Sequence, residues 1–370
     1  MPTHRRRRTS ACIVTVIALM ALVVACSSST TPSTDAGAGS GPPRDWAGLL
    51  ARVPDWQATE GATINAVDYR SVRDQTGTPA DGKPQGEFGG VTARLGAGLI
   101  PSFWAPDLDR WHELLGFYPY TPDRSFEIAA PPKGWLAVLV GPFDTTRVTA
   151  ALKGPGVLGP DATSETYAGE TYLRAPGEEG KVSPSATARL DRLGRPMRIL
   201  VAADHLLVTF TDERMHQAID AWAGRGTAAS DPDVAGAGRA LDQVKAITVA
   251  SGPAGDSTTD TTARSGTTVR PRQGVATVVL VGATAPGAND ASGGFIIAAT
   301  PSDGEAAKAA STLRDEIDRG ESTATRQPWN ELFTVADIHT DGAVLVATLD
   351  TDRPAVLRDA LYRREPLLDI

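Results

Sequence analysis

The stretch Phe126–Leu152, FEIAAPPKGWLAVLVGPFDTTRVTAAL, decides the fold class. Phe126–Ala129 and Trp135–Val140 are short, mostly apolar runs parted by Pro131-Pro132-Lys133-Gly134, and they read as two strands with a loop between them. Gly141-Pro142-Phe143 turns the chain. Asp144 then stands where a helix needs an N-cap acceptor, ahead of Val148 and Leu152 on one face. Farther on, Met197–Ala202 and Leu206–Phe210 read as a hairpin turning at Asp204-His205. Thr211-Asp212 caps a helix carrying Met215, Ile219 and Trp222, which stops at Gly224.

The same order comes again downstream. Ala276–Val281 and Phe295–Ala299 are expected strands, Pro301-Ser302-Asp303 a turn, and Ala306, Ala310, Leu313 and Ile317 one helical face. Leu332–Ile338 and Ala343–Leu349 make a hairpin turning at Thr340-Asp341-Gly342. Asp350 or Thr351 caps a last helix with Val356, Leu357, Ala360 and Leu361. The pattern β-β-α-β-β-α occurs twice. It predicts an α+β chain of two similar two-layer α/β sandwich subdomains, each a sheet with helices on one face. Chance agreement of six ordinary elements is the competing explanation. Gly226–Gly238, rich in Gly, Ala and Asp, reads as the break between a first α+β domain over 45–225 and a second over 236–370. Helix Ala240–Val244 and strand Ala246–Ala250 are expected after it, and Asp256–Gln273 as a polar surface loop.

Ahead of the first copy, Asp45 caps a short helix with Trp46, Leu49, Leu50 and Val53, stopped by Pro54. Thr63–Tyr69 reads as a strand, Gly77–Gly90 as a loop, and Pro106–Phe117 as a helix ending at Gly116. Phe103, Trp104, Trp111, Phe117, Tyr118 and Tyr120 crowd this region, either lining a ligand groove or packing a core.

The N-terminus has a layout of its own. Arg5–Arg8 form a charged block, Ala11–Val24 an uncharged and mostly apolar run, and Val23-Val24-Ala25-Cys26 leads into Ser27-Ser28-Ser29. A run of this length rises about 21 Å as a helix against roughly 30 Å of hydrocarbon, so it suits a signal peptide over 1–25 better than a span. The arginines keep the N-terminus cytoplasmic, and the rest of the chain is exported. Ser27–Arg44 has no apolar periodicity, so residues 26–44 are expected to form a disordered tether, either a plain spacer or a carrier of O-glycans.

Val23-Val24-Ala25-Cys26 is similar to a lipobox, and the whole segment resembles a bacterial lipoprotein signal. That resemblance implies diacylglycerol on the Cys26 thiol, cleavage before it, and acylation of the new amine, palmitate being one such chain. A spanning anchor, or an ordinary signal cut elsewhere, is the alternative. The arginine run leaves Sec and Tat export both open. The body resembles a group of actinobacterial lipoproteins through Ala62-Thr63-Ile64-Asn65-Ala66-Val67-Asp68, Leu115-Gly116-Phe117 and Gly141-Pro142-Phe143-Asp144. The group implies location and fold class, and it has no activity to lend.

Charge and cysteine usage fit this reading. The net charge of −8 becomes −12 once residues 1–25, with four arginines and no acids, are removed. Such a body has no use for nucleic acid or for an anionic lipid surface, so the expected membrane contact is the N-terminal lipid. Of the two cysteines, Cys12 leaves with the signal and Cys26 is, by the lipobox resemblance, the expected lipidation site, so no disulfide is expected.

No histidine pair has H-x-x-x-H spacing, and there is no G-x-S-x-G, P-loop or H-E-x-x-H. Gly154-Pro155-Gly156-Val157-Leu158-Gly159 matches G-x-G-x-x-G as a string, but it follows a helix and runs into Pro160, so it reads as a loop. His205 beside Asp204, and His339 near Asp341, read as exposed turn chemistry. Asp107, Asp109 and His112 are the nearest thing to an acid–base or cation-binding group. The acids equally suit the first turn of a helix. No catalytic residue, metal or cofactor is assigned. The expected function is a lipid-anchored protein on the extracytoplasmic face of the plasma membrane, a non-catalytic module that binds an envelope protein or a small molecule. A cell-envelope hydrolase or enzyme accessory is the alternative.

Overall fold

The computed structural model describes residues 42–56, 62–80, 88–97, 108–130, 134–154, 157–179, 181, 194–252, 275–285 and 293–370. The signal segment, Cys26, nearly all of the tether, Phe103, Trp104, Asp107 and the loop Asp256–Gln273 lie outside the described residues. In chain order the helices are α1 (Trp46–Leu50), α2 (Tyr69–Thr76), α3 (Phe88–Leu95), α4 (Leu108–Leu115), α5 (Thr145–Leu152), α6 (Asp212–Trp222), α7 (Pro232–Gln243), α8 (Asp303–Arg319), α9 (Trp329–Leu332) and α10 (Ala355–Arg363). The strands are β1 (Thr63–Asp68), β2 (Arg124–Ala130), β3 (Gly134–Val140), β4 (Thr163–Tyr167), β5 (Glu170–Arg174), β6 (Arg198–Val201), β7 (His205–Thr209), β8 (Thr248–Ser251), β9 (Val278–Ala283), β10 (Gly293–Ala299), β11 (Thr334–Asp341) and β12 (Val344–Asp350).

Among the described residues, all twelve strands join one antiparallel sheet in the order β11-β12-β10-β9-β8-β1-β2-β3-β7-β6-β5-β4. This corrects the expectation of separate sheets. Each half has a strand whose outer edge would be left without partners, β1 in one and β8 in the other. Pairing them, with Ala66 opposite Val249, satisfies both edges and fuses the halves. Ser40–Ile370 accordingly forms one compact unit.

The two-layer expectation also fails, because helices cover both faces. Alternation along β3 shows it: Leu136, Val138 and Val140 enter one core, while Ala137 and Leu139 enter another. On the first face α1, α6 and α7 contribute Trp46, Leu49, Met215, Ile219, Val234 and Leu241 to a core that runs unbroken across both halves. On the second face the core is divided. One cluster holds Tyr69, Phe88, Trp111, Val148 and their neighbours from α2–α5. The other holds Leu313, Trp329, Leu357 and Leu361 from α8–α10. The gap between them lies over the seam where β1 meets β8.

Local chemistry explains the elements. Asp45, Asp68, Asp144, Thr211, Asp231 and Ser302 each accept a backbone N–H at the start of their helix, worth about 1 kcal/mol apiece. Gly226–Gly238, expected as a break, is helical from Pro232. Asp231 caps Asp233, and Pro232 sits where its missing N–H costs nothing. Its glycines serve packing: a Cβ on Gly238 would lie 3.0 Å from Leu50 Cδ1 and 3.3 Å from Ala47 Cα. That contact draws α7 onto α1, whose first two N–H groups donate to Asp242 at 2.7 and 3.1 Å.

Three further elements depart from the sequence expectation: the β4–β5 hairpin, α2 and the start of α3. The hairpin β4–β5 lies between Leu152 and Met197, and β4 is exposed along almost its whole length, so it carries no apolar alternation. The first strand stops at Asp68 and helix α2 starts at Tyr69, because the Asp68 carboxylate caps Ser71 at 3.0 Å and also receives Arg124 at 3.3 Å. Helix α3 begins inside the stretch read as loop. Among the described residues no helix is long and apolar enough to cross a membrane.

Candidate functional site

One row of paired residues crosses the whole sheet on its second face. It runs Ser164, Leu173, Ile199, Val208, Ala137, Glu127, Asn65, Ala250, Val281, Ile296, Ala347 and Ile338, one residue from each strand. Apart from Ser164 on the edge strand, every member is apolar except two. Those two, Glu127 and Asn65, are adjacent and stand between the two cores of that face. Strand positions facing a helical layer normally take apolar side chains, so a polar pair at the sheet centre calls for another role.

Above the pair is a cavity of about 220 Å³. Its floor is Asn65, Val67 and Glu127 from the first half with Thr248, Ala250 and Val281 from the second. Leu95 and Gly96 close it on one side, where α3 ends. Pro354, Arg358 and Tyr362 close it on the other, where α10 crosses. The two walls are tied together over it. Arg358 Nη1 donates to the Gly96 carbonyl at 2.5 Å, and the Tyr362 hydroxyl donates to Asn65 Oδ1 at 2.6 Å. Glu127 is only 6 % exposed, and its Oε1 accepts the Trp135 indole N–H at 2.5 Å.

The floor depends on a close backbone approach. A Cβ on Gly282 would come within 1.8 Å of the Thr248 carbonyl oxygen. Here the Thr248 hydroxyl replaces a ladder partner: it accepts the Ala283 N–H at 3.0 Å and donates to the Leu95 carbonyl at 3.0 Å. One side chain thus joins β8, β9 and the end of α3 at the cavity rim.

The residues singled out from the sequence are not brought to this site. His112 lies mid-helix in α4, half-buried, its ring stacked on Tyr118 at 4.3 Å. Trp111, Phe117, Tyr118 and Tyr120 are buried in the second-face core, which settles their role as packing. Asp109 is exposed in the first turn of α4, where the helix dipole favours an acid. His339 is exposed as expected, but its partner is Asp337, 2.6 Å from Nδ1. Val157 and Leu158 of the glycine-bearing string are buried in the core.

His205 overturns the exposed-turn reading. It is 7 % exposed, its ring stacks on Trp222 at 4.0 Å, and Nδ1 lies 2.7 Å from Asp204 Oδ1. Burial pushes its pKa below the usual imidazole value, against the opposing pull of Asp204. Its cover comes from the far end of α6, which hairpin spacing does not reveal.

A second, more open depression of about 400 Å³ lies beside Trp56, Gln217, Asp220 and Arg225. Its polar groups already serve one another: Trp56 Nε1 donates to Gln217, and Arg225 and Tyr167 both donate to Asp220. The same holds for the buried guanidinium of Arg198, which is shared among Asp212, Glu179 and the Pro196 carbonyl. Among the described residues no group of three or more His, Cys, Asp or Glu side chains is placed to hold a metal ion.

Sequence reasoning missed Asn65, Glu127, Arg358 and Tyr362. The first two carried a signal, each being the polar residue flanked by apolar ones in a central strand. Arg358 and Tyr362 looked like any surface positions of a terminal helix. No family model, no curated protein and no solved structure matches this chain.

Proposed function

We propose that this chain is a bacterial lipoprotein held by lipid on Cys26 at the extracytoplasmic face of the plasma membrane, and that its body is a non-catalytic binding module whose ligand site is the seam cavity. The binding half rests on one observation: the polar pair Asn65–Glu127 stands in an otherwise apolar row, under a cavity closed by Arg358 and Tyr362. The anchoring half rests on the lipobox-like segment and a mature charge of −12, which leaves the lipid as the means of attachment. The partners are the membrane, through the lipid, and a small molecule or envelope protein.

The two halves are copies of one unit in this reading. Strand order β1-β2-β3-β7-β6 has its counterpart in β8-β9-β10-β12-β11. Helices α1 and α7 precede the first strand of each half, and α5 and α8 follow the third. The departure lies in the last helix: α6 covers the first face, whereas α10 crosses to the second. That divergence supplies the cavity wall. The hydrolase alternative centres on Asp107, Asp109 and His112, and the aromatics around it pack inward, so no observation favours it.

Two measurements test the proposal. A Cys26→Ala chain should lose palmitate labelling and either leave the membrane fraction or remain unprocessed, without a change in Tm. Membrane retention of a normally processed Cys26→Ala protein overturns the anchor. A thermal-shift screen of small molecules, glycans and peptides should give hits that Asn65→Leu abolishes. Hits indifferent to Asn65→Leu overturn the site.

A further inference from the structure

The cavity wall carries a cation with capacity to spare. Arg358 is half-buried, and its one hydrogen bond among the described residues is Nη1 to the Gly96 carbonyl. No carboxylate pairs with it there, although a guanidinium has five donors in a fork that fits a carboxylate with two bonds. Asn65 points the same way. Its Oδ1 is taken by the Tyr362 hydroxyl, and its Nδ2 donates to no partner among the described residues. Two sets of donors therefore face one space, and Val67, Leu95, Ala250, Val281 and Pro354 give it apolar walls, while the Thr248 hydroxyl is taken up by the Leu95 carbonyl and the Ala283 N–H.

Size and charge narrow the ligand. A cavity of about 150 Å³ holds a benzene ring, so about 220 Å³ suits one ring or branched alkyl group with a short head. Glu127 lines the same cavity with a negative charge, which sets a limit on how much anion can enter. A dianion such as a phosphate monoester would meet that charge twice over. A monocarboxylate matches the single arginine.

From this we infer that the seam cavity takes a small monocarboxylate with an apolar body, its head held by the Arg358 fork and the Asn65 amide. The inference rests on the reading of the cavity as a ligand site. It also gives Glu127 a defined effect: its charge weakens binding of the anion, and neutralising it should tighten that binding.

The test uses the full chain in lipid nanodiscs and three probes with one body: hydrocinnamate, hydrocinnamamide and phenylpropylamine. Titration calorimetry reads affinity, and hydrogen exchange over 63–68 and 355–363 reports binding at the seam. Hydrocinnamate should bind most tightly, weakened by at least about tenfold in Arg358→Met and less in Arg358→Lys, and tightened severalfold in Glu127→Gln. If the amide or the amine binds at the seam as well as the acid, or Glu127→Gln weakens the acid, the carboxylate inference is overturned and the ligand site stands. If no probe alters exchange at the seam, the inference and the site reading fail together.

Discussion

The hydroxyl of Tyr362, in the last helix, donates to the amide oxygen of Asn65, in the first strand, at 2.6 Å. This bond spans nearly the whole chain and crosses the cavity. It fixes both the rotation of α10 and the orientation of Asn65, leaving the amide N–H₂ as a donor. Tyr362→Phe removes it. The expected cost is about 0.5–1.5 kcal/mol in stability, with faster hydrogen exchange confined to 355–363 and 63–68. Uniformly faster exchange would show that α10 is not separately strapped.

Gly282 sets the cavity floor. Its Cβ position coincides with the Thr248 carbonyl, which belongs to the paired strand and cannot swing aside like a side chain. Gly282→Ala should therefore cost more than about 3 kcal/mol, readable as a lower urea midpoint. Gly89→Ala, where an added Cβ meets nothing within 4 Å, is the matched control and should be close to neutral.

Acid should loosen the hairpin β4–β5 and α6 through Asp212. Burial raises the Asp212 pKa, but the hydrogen bond and charge of Arg198 outweigh it, and the carboxyl ends at about 2 against an ordinary 3.8. The group is depressed in the folded state, so its contribution is complete above pH about 3.8 and is lost as pH falls toward about 2, at most about 2 kcal/mol. Asp212→Asn should flatten that part of the stability–pH curve. Arg198→Met, leaving two carboxylates without their buried partner, should cost about 3–5 kcal/mol at neutral pH.

Tyr120 offers a stabilising change. Its ring is fully buried between Phe88 and Tyr118, at 4.8 and 5.3 Å, while its hydroxyl has no hydrogen-bond partner among the described residues. Burial drives its pKa well above the usual phenol range. Tyr120→Phe keeps the stacking and removes the unpaired polar group, so Tm should rise, by the equivalent of about 1 kcal/mol. A fall in Tm would mean that the hydroxyl has a partner in solution.

The amino-acid sequence determined the local elements whose cause is itself local. Asp45, Asp144, Thr211 and Ser302 cap where an acceptor precedes an apolar periodicity, and the strands of the hairpins alternate as a half-buried surface requires. It failed at α7, because glycines that serve close packing look like loop residues, and at β4, because an exposed strand has no apolar alternation. It also left open how the halves join.

That last matter only the tertiary structure decided. Strand pairing between β1 and β8 joins residues 181 to 185 positions apart, and nothing in either strand names its partner. Once they pair, Asn65 and Glu127 come to the centre of a single sheet, and α10 lies on the second face of its half, whereas α6 lies on the first face of the other. The site follows from that pairing, since side chains of ordinary polarity become unusual only when their neighbours across the sheet are apolar.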